Sequence, residues 1–418
     1  MLLLALATGP ACGDRGAGRA ESPAGSWRAV LDAPGGQLPF DLAIEAGSDG
    51  QLRATVTNGP ETAAFTTAAL SGRSLTLRFD HYDSEIVATL APGGAEMDGR
   101  WSRQSLRRRD EMLFHAWRRG RDGDLPRFSP PEEPAGSAAV ADVSGDWDVL
   151  FTDESETSPA RAELRQEGER VLGTFLTPTG DYRYLDGDFR RGILRLSCFD
   201  GSHAFLFHAR ALDDGTLAGD FWSRGAYHAT WTARSAAGAP GRPPANLPDP
   251  FAMTTLRNPT GRLGFTFPDL DGRPVSLADA RFAGKVVLVD IFGSWCPNCN
   301  DQAPLLAELY RRYRDRGLEI VGLAYEMRGD PAGDAPFVRK YAARHGIEFP
   351  LLLAGTSDKS EASLTLPDLS GVLAFPTLVF IGRDGAVKAI HTGFEGPGTG
   401  RHHEALRARY EKLIESLL

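Results

Sequence analysis

The sequence predicts a multidomain chain: two tandem antiparallel β barrel or sandwich units, then an α/β domain built on a central covered sheet. Three observations carry this. Trp, Gly and Phe-Asp positions recur at an offset of 120 residues in the first half. That half also alternates polar and apolar residues in short runs, as half-buried strands do. From about residue 259 the pattern becomes apolar runs interleaved with amphipathic helical stretches, as in a sheet covered on both faces.

The chain has 418 residues, enough for several domains. Its 42% apolar and 24% charged residues are a globular composition. The 47 glycines and 28 prolines exceed the usual share and fit many short strands better than long helices. A net charge of −9 argues against a nucleic-acid partner, because a phosphate-binding surface needs excess Lys and Arg. "RQSLRRR", Arg103 to Arg109, is the local exception. It reads as the cap of a solvated hairpin, with a contact to acidic lipid or protein as the alternative. Four cysteines, Cys12, Cys198, Cys296 and Cys299, are too few for a disulfide scaffold.

The opening "MLLLALATGPAC" is apolar but shorter than the roughly 20 residues that span a bilayer. It has the look of the core of a secretion signal, although no Lys or Arg precedes Cys12. Small residues Gly9 and Ala11 stand before Cys12, and a polar Gly-rich tether follows. This resembles a bacterial lipoprotein signal, with Gly9 where such signals usually carry Leu. The resemblance implies lipidation of Cys12, a lipid anchor to the membrane and a periplasmic or cell-envelope location. A simply cleaved signal, or a cytosolic chain with a chance apolar start, are the alternatives. Export implies an oxidising compartment.

The repeat sets the first-half boundaries. Gly25–Trp27 matches Gly145–Trp147, Gly72 matches Gly192, Phe79–Asp80 matches Phe199–Asp200, and Gly99 matches Gly219. The expected organisation is a signal and tether (1–24), a first β unit (25–119), a linker (120–142), a second β unit (143–234), a Pro- and Gly-rich linker (235–258) and an α/β domain (259–418). Strand candidates are "LPFDLAIEA", "QLRATVT", "SLTLRFD" and "EIVATLA" in the first unit. In the second they are "DWDVLFT", "RAELRQE", "VLGTFLT", "ILRLSCFD", "AFLFHAR" and "LAGDFWS". His81, His115, His203, His208 and His228 show no metal-ligand spacing and no partnered carboxylate motif, so they read as strand histidines. Cys198 reads as a buried thiol, with a resolving role for the downstream pair as the alternative.

The second half offers a buried strand at 285–292, an amphipathic helix at 296–316, a strand "LEIVGLAYE", a helix ending at Gly346, a hairpin across "GRDG" and a closing helix. Leu305, Leu306, Leu309 and Tyr313 share one helical face. Cys296 thus falls between a strand and a helix N-terminus, where free N–H groups and the macrodipole favour a thiolate. Cys299 lies one turn on, within reach of a disulfide. Pro297 is tolerated in the first turn and Pro304 should kink the helix.

The segments "FPDLDGRPVSL", "GKVVLVDIFGSWCPNC" and "FPTLVFIGRDG" stand in order here. Through them, residues from about 260 to 418 resemble the thioredoxin superfamily, and within it the exported TlpA/ResA-like thiol–disulfide oxidoreductases. The resemblance implies that Cys296 attacks, Cys299 resolves, and the two form a redox-active disulfide. It implies a cis-proline at Pro376, with Phe375 offering backbone to an extended substrate and Trp295 and Pro297 beside the attacking sulfur. Asp290, six residues before Cys296, matches the buried aspartate that exchanges protons with the resolving thiol. Burial should raise its pKa. Gln302 stands where the ResA-like pattern usually has glutamate and cannot titrate, and Asp301 should point elsewhere on the helix. The implied partners are oxidised cysteine-containing proteins and a membrane-borne thiol electron donor; no cofactor is implied.

Other readings of the pair remain. A metal clamp would need further ligands, and His391 and Met327 lack suitable spacing, so no metal is expected. A staple closing a two-residue loop removes little unfolded-state entropy. A peroxiredoxin-like peroxidase would want a Pro-xxx-Thr-xx-Cys arrangement, which is missing. A surface-binding lipoprotein with an accessory redox domain has no reason to keep both Cys-x-x-Cys and Pro376.

Overall fold

The computed structural model describes residues 22–104, 108–120, 126–131, 135–236, 247–258 and 260–418. Cys12 and its surroundings lie outside the described residues, as does the tip of the Arg103–Arg109 hairpin at 105–107.

The first sheet contains β1 (Gly25–Ala33), β2 (Gly36–Ala46), β3 (Leu52–Asn58), β4 (Glu61–Ala64), β5 (Thr67–Ser71), β6 (Ser74–Phe79), β7 (Ser84–Leu90), β8 (Glu96–Gln104) and β9 (Arg109–Arg118). It runs as an antiparallel meander in the order β4-β3-β2-β1-β9-β8-β7-β6-β5, leaving β4 and β5 as unpaired edges of a half-barrel. The second sheet contains β10 (Gly145–Thr152), β11 (Thr157–Glu167), β12 (Arg170–Thr177), β13 (Gly180–Asp181), β14 (Leu185–Arg190), β15 (Ile193–Phe199), β16 (Ala204–Ala211), β17 (Leu217–Ser223) and β18 (Tyr227–Ser235). It follows a similar meander, but β11 also pairs with β12 and closes a barrel.

The repeated residues do equivalent work in both sheets. Trp27 Nε1 donates to the Pro23 carbonyl at 2.9 Å, and Trp147 Nε1 to the Val143 carbonyl at 2.8 Å, in each case four residues back. Gly99 lies opposite Ala88 and Gly219 opposite Ala209. A Cβ at either glycine would stand 2.0 Å from a carbonyl oxygen of the neighbouring strand, so only glycine lets the strands approach.

The sheets are not separate beads. Phe199, Ala204 and Leu206 of the second sheet belong to the hydrophobic core of the first. The Phe199 ring lies 4.5 Å from Phe40, and the Asn58 amide bonds both the N–H and the carbonyl of Phe199. The second sheet thus plugs the half-barrel's open side. The described residues of the 120–142 segment are packed down as well: Phe128 is buried beneath the Arg195 guanidinium, and Val140 lies in the second core. Arg103, expected in a solvated hairpin, is buried, with its pKa lowered by burial to about 10. Three of the strand histidines do face carboxylates, contrary to expectation: His115–Asp98 at 2.7 Å, His203–Asp200 at 2.9 Å and His228–Asp220 at 2.8 Å. The strand spacing hid these pairs because each forms across a turn or between neighbouring strands. Cys198 is fully buried in the second core.

The remaining chain begins with α1 (Pro250–Met253) and the small hairpin β19 (Thr266–Pro268) and β20 (Pro274–Ser276). It continues with β21 (Val286–Phe292), α2 (Pro297–Tyr313), β22 (Leu318–Glu326), α3 (Pro331–His345) and β23 (Leu351–Thr356). Then follow α4 (Lys359–Thr365), β24 (Thr377–Ile381), β25 (Val387–Thr392) and α5 (Arg401–Leu417). The sheet order is β23-β22-β21-β24-β25, parallel across β23, β22 and β21 and antiparallel from β21 to β25. This is a thioredoxin fold. Every residue of β21 and β22 is buried, so both sheet faces are covered. Leu305, Leu306, Leu309 and Tyr313 of α2 and Leu406, Tyr410 and Ile414 of α5 join the core around the sheet. Within the 235–258 linker, the residues from 247 on pack against the redox domain. Phe251 packs between Arg409 and His391, and Thr254 is buried and accepts a hydrogen bond from Thr392 at 2.8 Å.

Candidate active site

Cys296 is the N-cap of α2, directly beyond the end of β21, and Pro297 opens the helix. Cys296 is 7% exposed and Cys299 1% exposed. Both carry free thiols, and the two sulfurs lie close enough to influence each other. Burial and the adjacent Cys296 sulfur push the Cys299 thiol well above its ordinary pKa.

The Phe375–Pro376 peptide bond is cis. Cys296 Sγ lies 3.4 Å from the Phe375 carbonyl oxygen, and the Pro376 carbonyl accepts from the Gly393 N–H at 2.8 Å. Trp295 stands edge-on to the Phe375 ring at 5.8 Å, and its Nε1 donates to the Tyr325 carbonyl at 2.8 Å. The structure therefore brings together Cys296, Cys299, Trp295, Pro297, Phe375 and Pro376.

Asp290 sits beneath the pair on the central strand, 3% exposed. Burial raises its pKa to about 8, against the opposing pull of Gln302. Gln302 Nε2 donates to Asp290 Oδ1 at 2.9 Å, while Gln302 Oε1 is buried without a partner. An amide is equipped for both states of a titrating neighbour: its NH2 donates to the carboxylate, and rotated by half a turn its oxygen accepts from the acid. Asp301 does point away, into an ion-pair cluster. Arg183 meets Asp301 at 2.6 Å and Asp200 at 2.8 Å, and it also bonds Glu61. Burial raises the Asp301 pKa to about 6, against the opposing pull of Arg183.

Several supporting residues gave no sequence signal. Asn300 Nδ2 donates to the Ser294 and Cys296 carbonyls at 3.0 and 2.9 Å, fixing the cysteine loop. His345 Nε2 contacts Asn300 Oδ1 at 2.8 Å, and the Tyr341 hydroxyl donates to the Cys299 carbonyl at 2.9 Å. Glu326 accepts from the Ser294 N–H at 2.8 Å and from its hydroxyl at 2.7 Å, and burial raises its pKa to about 7. The Asn300 amide bonds are local, whereas the His345, Tyr341 and Glu326 contacts join segments more than thirty residues apart. His391, by contrast, lies buried against the Tyr410 hydroxyl, and no metal-binding cluster occurs among the described residues.

Residues 259–407 match the family model described as Redoxin. This part of the chain is a Redoxin domain. Among curated proteins it is similar to the thiol-disulfide oxidoreductase ResA of Geobacillus thermodenitrificans, with 35% identity over 129 residues, covering 31% of this chain and 66% of that protein. ResA of Halalkalibacterium halodurans is 27% identical over 131 residues, again 31% of this chain and 66% of the relative. The chain thus spans slightly under two thirds of the length of these relatives. A thiol:disulfide interchange protein of Chlorobium tepidum is a structural neighbour at 23% identity and a TM-score of 0.29, covering 37% of this chain and 94% of its own. The Redoxin domain is where all of the expected redox residues fall. Arg183 touches it from outside at Asp301, and the same guanidinium holds Glu61 of the first sheet and Asp200 of the second.

Proposed function

We propose that the protein is an exported thiol–disulfide oxidoreductase that reduces cysteine pairs in envelope proteins. The observation that carries this reading is the adjacent Cys296–Cys299 dithiol beside the cis Phe375–Pro376 bond, with buried Asp290 behind it. The Cys296 thiolate attacks one sulfur of a substrate disulfide. A mixed disulfide forms, and the first substrate sulfur leaves as a thiolate. Cys299, losing its proton to the Asp290 carboxylate, then attacks Cys296 Sγ. The second substrate thiolate departs and is protonated. The substrate has gained two electrons and the pair is left as a Cys296–Cys299 disulfide. A membrane-borne dithiol donor returns it to the dithiol form. Trp295, Phe375 and Pro376 border the attacking sulfur on its substrate-facing side, while Pro297, expected there, is buried on the flank that the β region covers. The two tandem β units act as a docking platform for the redox domain, and Cys12 carries the lipid that anchors the chain.

Trapping in whole cells tests this reading. Cys299→Ser leaves the mixed disulfide unresolved and should accumulate covalent complexes with cell-envelope proteins, recovered with the membrane fraction. Cys296→Ser should accumulate none. Equal turnover in both variants, or capture of cytosolic proteins only, refutes it.

A further inference from the structure

One flank of the cysteine pair is closed by the β region. The turn at 179–183 of the second sheet lies along residues 393–398 of the redox domain. The Gly180 backbone is so close to Asn298, between the two cysteines, that a Cβ there would stand 2.1 Å from the Asn298 amide nitrogen. A Cβ on Gly393 would stand 2.5 Å from the Thr179 carbonyl oxygen. Asp181 accepts from the Gly396 N–H at 2.8 Å, and Pro297 is buried. A bulky partner has no approach from this side.

Among the described residues the opposite flank is open. A cleft of about 630 Å³ separates the first sheet from the redox domain. Tyr82 and Arg109 form one wall, and Trp295, Arg328, Asp334 and Phe337 the other. Trp295 belongs both to this cleft and to the contact with Phe375 beside Cys296. The walls are held in register across the gap by His81 to Arg344 at 2.6 Å and Asp83 to Arg328 at 3.6 Å. On the closed side the Arg183 ion pairs tie both sheets to α2, so the cleft is preformed.

We propose that this cleft receives an extended, cysteine-bearing segment of a substrate polypeptide and leads it past Trp295 to Cys296. Its volume is that of a small-ligand pocket, which admits a short stretch of chain and excludes a globular surface. Its walls mix aromatic faces with charges of both signs. That suits a polypeptide, which offers backbone donors and acceptors together with apolar side chains, and gives a uniformly charged ligand no advantage. The inference rests on the thiol–disulfide reading of the same site and adds the substrate's route, through a cleft that the first β sheet helps to build.

The test compares two substrates on the full-length protein: a short extended peptide carrying a disulfide, and the small aromatic disulfide of two thionitrobenzoate groups. Gln104→Trp fills the cleft from its exposed rim, Phe337→Ala trims the opposite wall, and Leu113→Trp places the same indole on an exposed strand position outside the cleft. Gln104→Trp should raise the peptide KM about tenfold at unchanged kcat, the mark of lost uniform binding, with the small disulfide unaffected. Phe337→Ala should shift the peptide KM in the same direction, and it decides the matter if the Trp variant does not fold. Leu113→Trp should match the wild type. A peptide KM unchanged in both cleft variants, or an equal loss on both substrates, overturns the docking route. A wild-type protein that reduces neither substrate overturns the thiol–disulfide reading and the docking route with it.

Discussion

Replacing Asp290 by asparagine should make the protein slower and more stable at once. In the unfolded chain this carboxyl ionises near 3.8, whereas in the fold burial holds it protonated up to about 8. Between these values the unfolded chain releases a proton that the folded chain keeps, so stability falls as pH rises. The loss is absent below about 3.8 and complete above about 8. At about 1.36 kcal/mol per pH unit the gap corresponds to an upper figure of about 5–6 kcal/mol. Asp290→Asn removes the titration while keeping a hydrogen-bonding partner for Gln302, and altering that bond costs about 1 kcal/mol. A net gain of about 3–5 kcal/mol is expected near pH 8.5, shrinking towards zero near pH 4.

Thiol labelling along a denaturant series reads this change domain by domain. Cys299 is buried in the redox domain and Cys198 in the second sheet, so the Cys299 midpoint should rise while the Cys198 midpoint reports the β region. In single-turnover experiments the same variant should slow resolution of the mixed disulfide by about 10²–10⁴-fold, the usual worth of a positioned general base. It should also flatten the rise in rate that the wild type shows as pH approaches about 8. A variant less stable than the wild type near pH 8.5, or a wild-type resolution rate independent of pH, would refute the assignment of Asp290 as a strained proton acceptor.

Two further changes probe the surroundings. Gln302→Glu places a second carboxylate against Asp290, and like charge should push the proton-transfer step upward by about one pH unit or more, with two coupled titrations in the pH–rate profile. An unmoved profile would show that Gln302 does not sense the charge on Asp290. Arg183→Met leaves Glu61, Asp200 and Asp301 without their shared cation, and breaking a buried pair in this way costs about 3–5 kcal/mol. Both labelling midpoints, Cys198 and Cys299, should fall together; a fall in only one would mean that the cluster does not join the two regions.

Much of this molecule is set by short-range patterning. The 120-residue repeat placed Trp27 and Trp147 at equivalent points of two meanders, because the indole-to-carbonyl bond and the glycine opposite a neighbouring strand are local demands that recur with the motif. The cysteine pair was legible for a similar reason, at the junction of a strand and a helix, whereas Asp290 and Pro376 were singled out only through the resemblance carried by their flanking segments. The strands β1, β4, β5, β13, β14, β18 and β23 were not legible, and neither were α1 and α4. Of these, β4, β5 and β13 are short and draw their stability from pairing partners and not from their own pattern, whereas β18 alternates cleanly and carried a usable period.

What the tertiary structure alone decided is how the parts meet. Arg183 reads as one more arginine in a Gly-rich turn, yet it is buried among three carboxylates drawn from both sheets and from α2. Glu326 and His345 likewise acquire their partners, Ser294 and Asn300, only through folding. The physical reason is separation along the chain. Arg183 lies 118 residues from Asp301 and 122 from Glu61, so no local periodicity can encode the contact, and only the cost of burying an unpaired charge enforces it.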